Sequence, residues 1–396
     1  MSAEVKTTPV CNLDFYGPES IEDPVALYHN MLSLGQVVWL EKNGLHAICG
    51  HSAVTQVLRD PLRFISGKGV SIDESVNKML IGSTLNSDPP QHDDTRKITF
   101  EPLSLKNIQL VRERIEKEAE FIVKKMLEKV EFDAASELAP YLPLSVVRDL
   151  VGLGEYGRDN MLEWGAATFE LMGDPKERRS AAVDNLKSLR GFLEDSNTLD
   201  NLGVDGWARR ATKIGIESGM QPARAAELMR DYIAPSLDTT ISAIAYGIKL
   251  FAENPDQWDK LRANKKLMRN AIEEIVRLNT PIRAFTRFVS EDVVVADTQL
   301  KGHTRVLVVF GAANRDSSRF PEPDRFDIER KTAGHVGFGH AVHACLGMNL
   351  ARLEMSSLFN ALANSVRRFE IIGSVVNAKN STIHAQASLP VRCVPG

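Results

Sequence analysis

Cysteine is scarce in this chain, with four in 396 residues, at Cys11, Cys49, Cys345 and Cys393. They stand too far apart for a zinc-ligand spacing or a disulfide framework, so a stapled scaffold is excluded and a reducing, cytoplasmic home is expected. Net charge is nearly absent too. The 48 basic and 52 acidic side chains leave −4, spread along the chain, with no field to draw nucleic acid. No run reaches the roughly 18 consecutive apolar residues that a bilayer span needs. Met1 to Asn30 holds acidic residues and prolines where a signal peptide would have an apolar core. Repeats and low-complexity tracts are missing as well. What remains, 43% hydrophobic and 25% charged, is an ordinary globular composition, long enough for a sizeable core.

The periodicities are mostly helical. Val37–Leu40 and Leu45–Ile48 flank Asn43-Gly44 and predict an early hairpin, in a β-richer N-terminal part reaching to about residue 65. Ser52 to Arg59 reads as helix, and Phe64 to Asn86 as a long loop without a period. Ile108, Val111, Ile115, Ala119, Ile122 and Met126 mark an amphipathic helix. Further helices are predicted over Ser145 to Val151, Arg158 to Met172, Asp256 to Arg262, Leu267 to Leu278, and after Cys345 to about Asn364, with breaks at Gly173-Asp174-Pro175 and around Gly203. Pro222 to Ala252 is helix-compatible throughout except at Pro235. A proline there removes an N–H and clashes with the Asp231 carbonyl, costing about 3 kcal/mol, so the segment should kink or break. Short strands such as Val306 to Phe310 and turns such as Asn314-Arg315-Asp316 follow. The fold class expected is mainly α with minor β, in one domain over 1–396.

The chemistry concentrates in Phe338-Gly339-His340-Ala341-Val342-His343-Ala344-Cys345-Leu346-Gly347. A cysteine just before a helical pattern, among glycines that leave room for a flat group, has its sulfur near backbone N–H groups and a positive helix end. That setting is expected to favour the thiolate and suits an axial ligand to haem iron. Elsewhere, Glu274 and Arg277 lie three apart and can pair on one helix face. His92 and Arg96, at i and i+4, can point the same way. Leu237-Asp238-Thr239-Thr240 puts a polar cluster just after Pro235 in an apolar stretch, where it is costly without a role.

The run 338–347 resembles the haem-binding loop of the cytochrome P-450 family, Phe-Gly-x-Gly-x-His/Arg-x-Cys-x-Gly. Phe338, Gly339, His343, Cys345 and Gly347 match, and Ala341 stands where glycine is usual. The resemblance runs from about Asp88 to Leu353 and implies a helical bundle around a buried haem b, with small antiparallel sheets and the haem-binding loop at 335–347. It implies Cys345 as the metal ligand and His92, Arg96, Arg287 and His343 as propionate contacts. Glu274 and Arg277 become a buried pair closed by Arg325, in Pro323-Asp324-Arg325-Phe326. Asp238 is implied as proton relay and Thr239 as the hydroxyl that holds dioxygen; the family's Ala/Gly-Gly before this pair is replaced by Pro235 and Ser236.

The activity implied is that of a haem-thiolate monooxygenase, fed with NAD(P)H electrons by an iron–sulfur ferredoxin and its reductase, and acting as a monomer away from membranes. Lys97, Lys106, Arg112 and Arg352 are candidates for a basic docking patch near Cys345. Alternatives are a haem-thiolate sensor without turnover, which Pro235, Ser236 and Ala341 would favour, and a peroxide-using peroxygenase, which would more naturally lack the Asp238–Thr239 pair. Family substrate regions coincide here with Phe169, Leu171, Met172, Ile233, Leu237, Ile282 and Phe285, an apolar, aromatic-friendly set. Residues 330–339 look most like bacterial members that hydroxylate or O-demethylate para-substituted benzoates. For such a carboxylate, Lys68, Ser71, Arg230 or Arg283 are the candidate anchors.

Overall fold

Residues 7–195 and 198–396 are described in a computed structural model of the chain. The predicted hairpin is present, with Val37–Leu40 antiparallel to Leu45–Ile48 and Gly44 at the turn with a φ of 66°. It belongs to a six-stranded sheet that also takes in Val10–Cys11, Arg305–Val309, Ala284–Val289 and Phe64–Ile65. Both faces of this sheet are covered. Val306 and Val308 pack into one apolar cluster while Leu307 and Val309 pack into another. A strand buried on both faces reads as a continuous apolar run, as Arg305–Val309 does after its first residue.

The rest is helical. Leu105–Lys129, Asp238–Glu253, Met268–Asn279 and Met348–Ser365 pack on one another around the largest apolar cluster. Leu105–Lys129 begins where the Ser104 side chain accepts the Asn107 N–H, and it buries Ile108, Ile115, Ala119, Ile122 and Met126 as their spacing requires. The loop expected over Phe64 to Asn86 is only partly a loop. Glu74–Leu80 is a helix, started by Asp73, whose carboxylate accepts the N–H groups of Ser75 and Val76.

At Pro235 the helix breaks outright. Helical backbone ends with Arg230–Ile233, residues 234–237 are bends, and Asp238–Glu253 starts afresh. That break places Asp238 and Thr239 in the first turn of a new helix.

Candidate functional site

Cys345 borders a cavity enclosed between the 336–347 loop, the start of Met348–Ser365 and the broken helix. Its N–H donates to the Phe338 carbonyl at 2.7 Å, closing the loop. Gly339 has a φ of 70°, and a Cβ there would meet the His343 carbonyl at 2.9 Å, so glycine is required. Ala341 also adopts a positive φ, 54°, at a cost that glycine would not carry. The loop is clamped from outside. Arg352 donates two bonds to Glu273, at 2.6 and 3.0 Å, and lies over the Phe338 ring at 4.8 Å, while His335 meets Glu273 at 2.9 Å. Burial alone would raise the Glu273 carboxyl, but these bonds and the Arg352 charge hold it at about 2.

The expectation that this setting favours the thiolate is corrected. Burial pushes the Cys345 thiol above its ordinary value, against the opposing N–H groups of Gly347 and Met348 and the charges of Arg96 and Arg352. These groups still point at the sulfur and would stabilise an anion once a cation binds it.

At one rim of the cavity stand Arg96, Arg287 and His343, with His92 behind them, its ring 4.6 Å from that of His343. The Nε2 atoms of His92 and His343 are buried and have no partner among the described residues. Burial, together with Arg287, His92 and Arg96, drives His343 down to about 2, and burial lowers Arg287 to about 10. Apart from the bond of Arg287 to the Thr286 carbonyl and of Arg96 to the Ala344 carbonyl, at 2.8 and 2.7 Å, this rim offers unspent donors converging on one place. Such a rim is short of an anion.

Across the cavity from Cys345 lie Pro235, Ser236, Thr239, Thr240 and Ala243. The Ser236 hydroxyl donates to the Tyr232 carbonyl, and that of Thr239 reaches the Pro235 carbonyl at 3.5 Å. Asp238 turns away from the cavity toward Gly165, where an added Cβ would meet its Oδ2 at 2.5 Å and the Ala234 carbonyl at 2.8 Å. That oxygen is buried without a partner, and burial raises the carboxyl to about 7, against the pull of its own backbone N–H. Glu354, unremarked in the sequence, lines the cavity on the cysteine side. Burial raises it to about 8, and its Oε1 is unpartnered.

Glu274 and Arg277 form a bidentate pair at 2.7 and 2.9 Å, both wholly buried. The third partner is not Arg325. Arg325 is 57% exposed and pairs with Glu322 and Asp327, because the chain turns at Glu322 (φ 48°) and carries it outward. Arg330 takes its place, 9% exposed, with Nε 2.9 Å from Glu274. Arg277 also reaches the carbonyls of Asn314 and Pro323, so the network ties Met268–Asn279 to the segment leading into the cysteine loop.

Of the residues expected to contact substrate, Phe169, Ile282 and Phe285 line the cavity. Leu171, Met172 and Ile233 are buried in the core beside it, since a buried helix turns only one face to the cavity, and Leu237 is turned into the core within the Pro235 break. None of the four carboxylate anchors reaches it. Lys68 is at the surface, and Ser71 donates to the Leu171 carbonyl at 2.9 Å. Arg230 is spent on the carbonyls of Met79, Leu80 and Ile81, and Arg283 on those of Phe15, Ser20 and Ser381. Thr84, Leu103, Trp207, Asp231 and Tyr232 are also in the wall, and no local sequence signal marks them.

Residues 204–389 match the family model described as Cytochrome P450. Among curated relatives, cytochrome P450 CYP199A2 of Rhodopseudomonas palustris is 33% identical over 394 residues, covering 98% of this chain and 95% of that protein. Linalool 8-monooxygenase of Pseudomonas putida is 28% identical, covering 94% and 93%. Among solved structures, cytochrome P450 CYP109Q5 from Chondromyces apiculatus superposes with a TM-score of 0.76 at 25% identity, covering 97% of this chain and 99% of that one.

Proposed function

Because this chain belongs to the cytochrome P450 family and is a P450 monooxygenase, we propose that it holds haem b through Cys345 and oxidises a small aromatic substrate with electrons from NAD(P)H, delivered by an iron–sulfur ferredoxin and its reductase. The observation that carries this reading is the convergence of Cys345, an anion-seeking rim and the Thr239 hydroxyl on one cavity.

The residues present fit haem. Cys345 would ligate the metal; Arg96, Arg287, His343 and His92 would take the propionates, giving the orphaned imidazole nitrogens partners. Phe338 and Gly339 shape the loop, and at Gly347 an added Cβ would meet nothing within 4 Å, leaving space beside the cavity for a flat group. When bound, haem supplies the iron at which dioxygen is activated. The protein's own part is to exclude water, orient substrate and deliver protons. Thr239 presents a hydroxyl to the cavity, and Asp238, at about 7, holds a proton it can release near neutral pH from just behind that helix turn. Leu103, Phe169, Trp207, Tyr232, Ile282 and Phe285 supply an apolar and aromatic wall for a ring substrate, to be hydroxylated or O-demethylated. For the ferredoxin, Lys97, Lys106 and Arg112 are exposed, whereas Arg352 is turned inward on Glu273.

Reconstitution with a ferredoxin, its reductase and NADPH tests this. Wild type should form product from neutral methoxy-aromatics, and Thr239→Ala should consume reductant with much less product. No product from any aromatic, or unchanged coupling in Thr239→Ala, would refute the reading.

A further inference from the structure

We propose that Asp231, braced by Thr84, sets specificity in the substrate cavity: it takes the hydrogen-bond-donating end, hydroxyl or amine, of an otherwise apolar aromatic substrate and turns carboxylates away. This deepens the monooxygenase reading above and rests on it.

Asp231 lines the cavity and is the charged side chain left on the substrate side, since Arg96, Arg287 and His343 sit at the proposed propionate rim and Glu354 on the cysteine side. Two of its neighbours in the wall, Tyr232 and Ser236, are already committed. The Tyr232 hydroxyl donates to the Thr99 carbonyl at 2.8 Å, and that of Ser236 to the Tyr232 carbonyl. Asp231 is held by one residue. The Thr84 N–H reaches Oδ1 and Oδ2 at 3.2 and 3.1 Å, and the Thr84 hydroxyl donates to Oδ2. A carboxylate accepts about four hydrogen bonds, so Oδ1, with one long contact, keeps acceptor capacity.

The balancing cations stand behind the acid and do not line the cavity. Arg224 donates to the Gly82 carbonyl, and Arg230 is bound to Glu227 at 3.0 Å and to the carbonyls of 79–81. They keep Asp231 from being an isolated buried charge, yet they offer a substrate no N–H. A benzoate carboxylate brought against Asp231 would set acceptor against acceptor, whereas a hydroxyl or amine would complete Asp231. Asp231 and Thr239 stand on either side of the Pro235 break and both line the cavity, so one ring substrate can meet both.

The test is spectral titration of haem-loaded protein with 4-methoxybenzyl alcohol and 4-methoxybenzoate, which differ at the end facing Asp231. The reduced carbon monoxide spectrum is recorded on the same samples. Wild type should bind the alcohol at least tenfold more tightly than the benzoate. Asp231→Asn should narrow that ratio at least tenfold, chiefly by admitting benzoate, and Thr84→Val, which keeps the Asp231 carboxylate but removes its hydroxyl brace, should weaken the alcohol and narrow the ratio. Tighter benzoate binding by wild type, or a ratio that neither variant moves, overturns the proposal while an intact thiolate-haem spectrum leaves the monooxygenase reading standing. A spectrum without that signature overturns both.

Discussion

Arg330→Ala and Arg325→Ala separate two accounts of how the cysteine loop is supported. Arg330 gives Glu274 its second cation at 2.9 Å and donates to the carbonyls of Pro321, Glu322 and Arg325 at 2.5, 2.9 and 3.0 Å. Truncation leaves a wholly buried carboxylate with Arg277 and the Asp327 N–H at 3.3 Å, and strips three carbonyls of a donor. Losing one partner of a buried pair costs about 3–5 kcal/mol. Here Arg277 still neutralises Glu274 and water can reach part of the site, so about 2–4 kcal/mol is expected. Arg325, 57% exposed and paired at the surface, should cost less than about 1 kcal/mol. Urea unfolding of the haem-loaded variants, followed by far-ultraviolet dichroism and by haem absorbance, gives both numbers if the slope with denaturant is unchanged. Equal losses, or a larger loss for Arg325→Ala, would refute the assignment of Arg330 to the network.

Ala341→Gly should stabilise the protein by about 0.5–1 kcal/mol in the same assay, since the residue sits at a φ of 54°. Gly165→Ala should lower thermal stability and slow turnover, because its Cβ would meet Asp238 at 2.5 Å and the Ala234 carbonyl at 2.8 Å. Asp238 has a folded value of about 7 against an ordinary 3.8. The folded state therefore holds its proton longer than the unfolded one, and the stabilising contribution, complete below about 4, is lost as pH rises through about 7. Stability measured across pH 4–8 should fall less in Asp238→Asn than in wild type, the remaining slope coming from other buried carboxyls such as Glu354; parallel curves would contradict that.

What was legible in the sequence was local. Asn43-Gly44 sets a two-strand register, the Ile108-to-Met126 spacing sets one buried helix face, and Pro235 ends a helix, each through neighbours within a few residues. The 338–347 run and the Glu274–Arg277 pair are local in the same sense. Arg325 against Arg330 was not, because a turn at Glu322 decides which arginine folds inward. Nor was the cavity wall. Whether Leu237 or Ser236 faces the cavity depends on backbone angles within the Pro235 break, and the value of Cys345 depends on burial supplied by distant elements. Glu74–Leu80 was hidden because a short helix in a polar stretch is marked only by its Asp73 cap.

The most direct measurement is the reduced carbon monoxide spectrum of purified wild type beside Cys345→His. Wild type should show the thiolate-haem signature, and the variant, which keeps the rim of Arg96, Arg287 and His343, should retain haem while losing it. A wild-type spectrum without the signature, or a Cys345→His spectrum that keeps it, would contradict the assignment of Cys345 as the iron ligand.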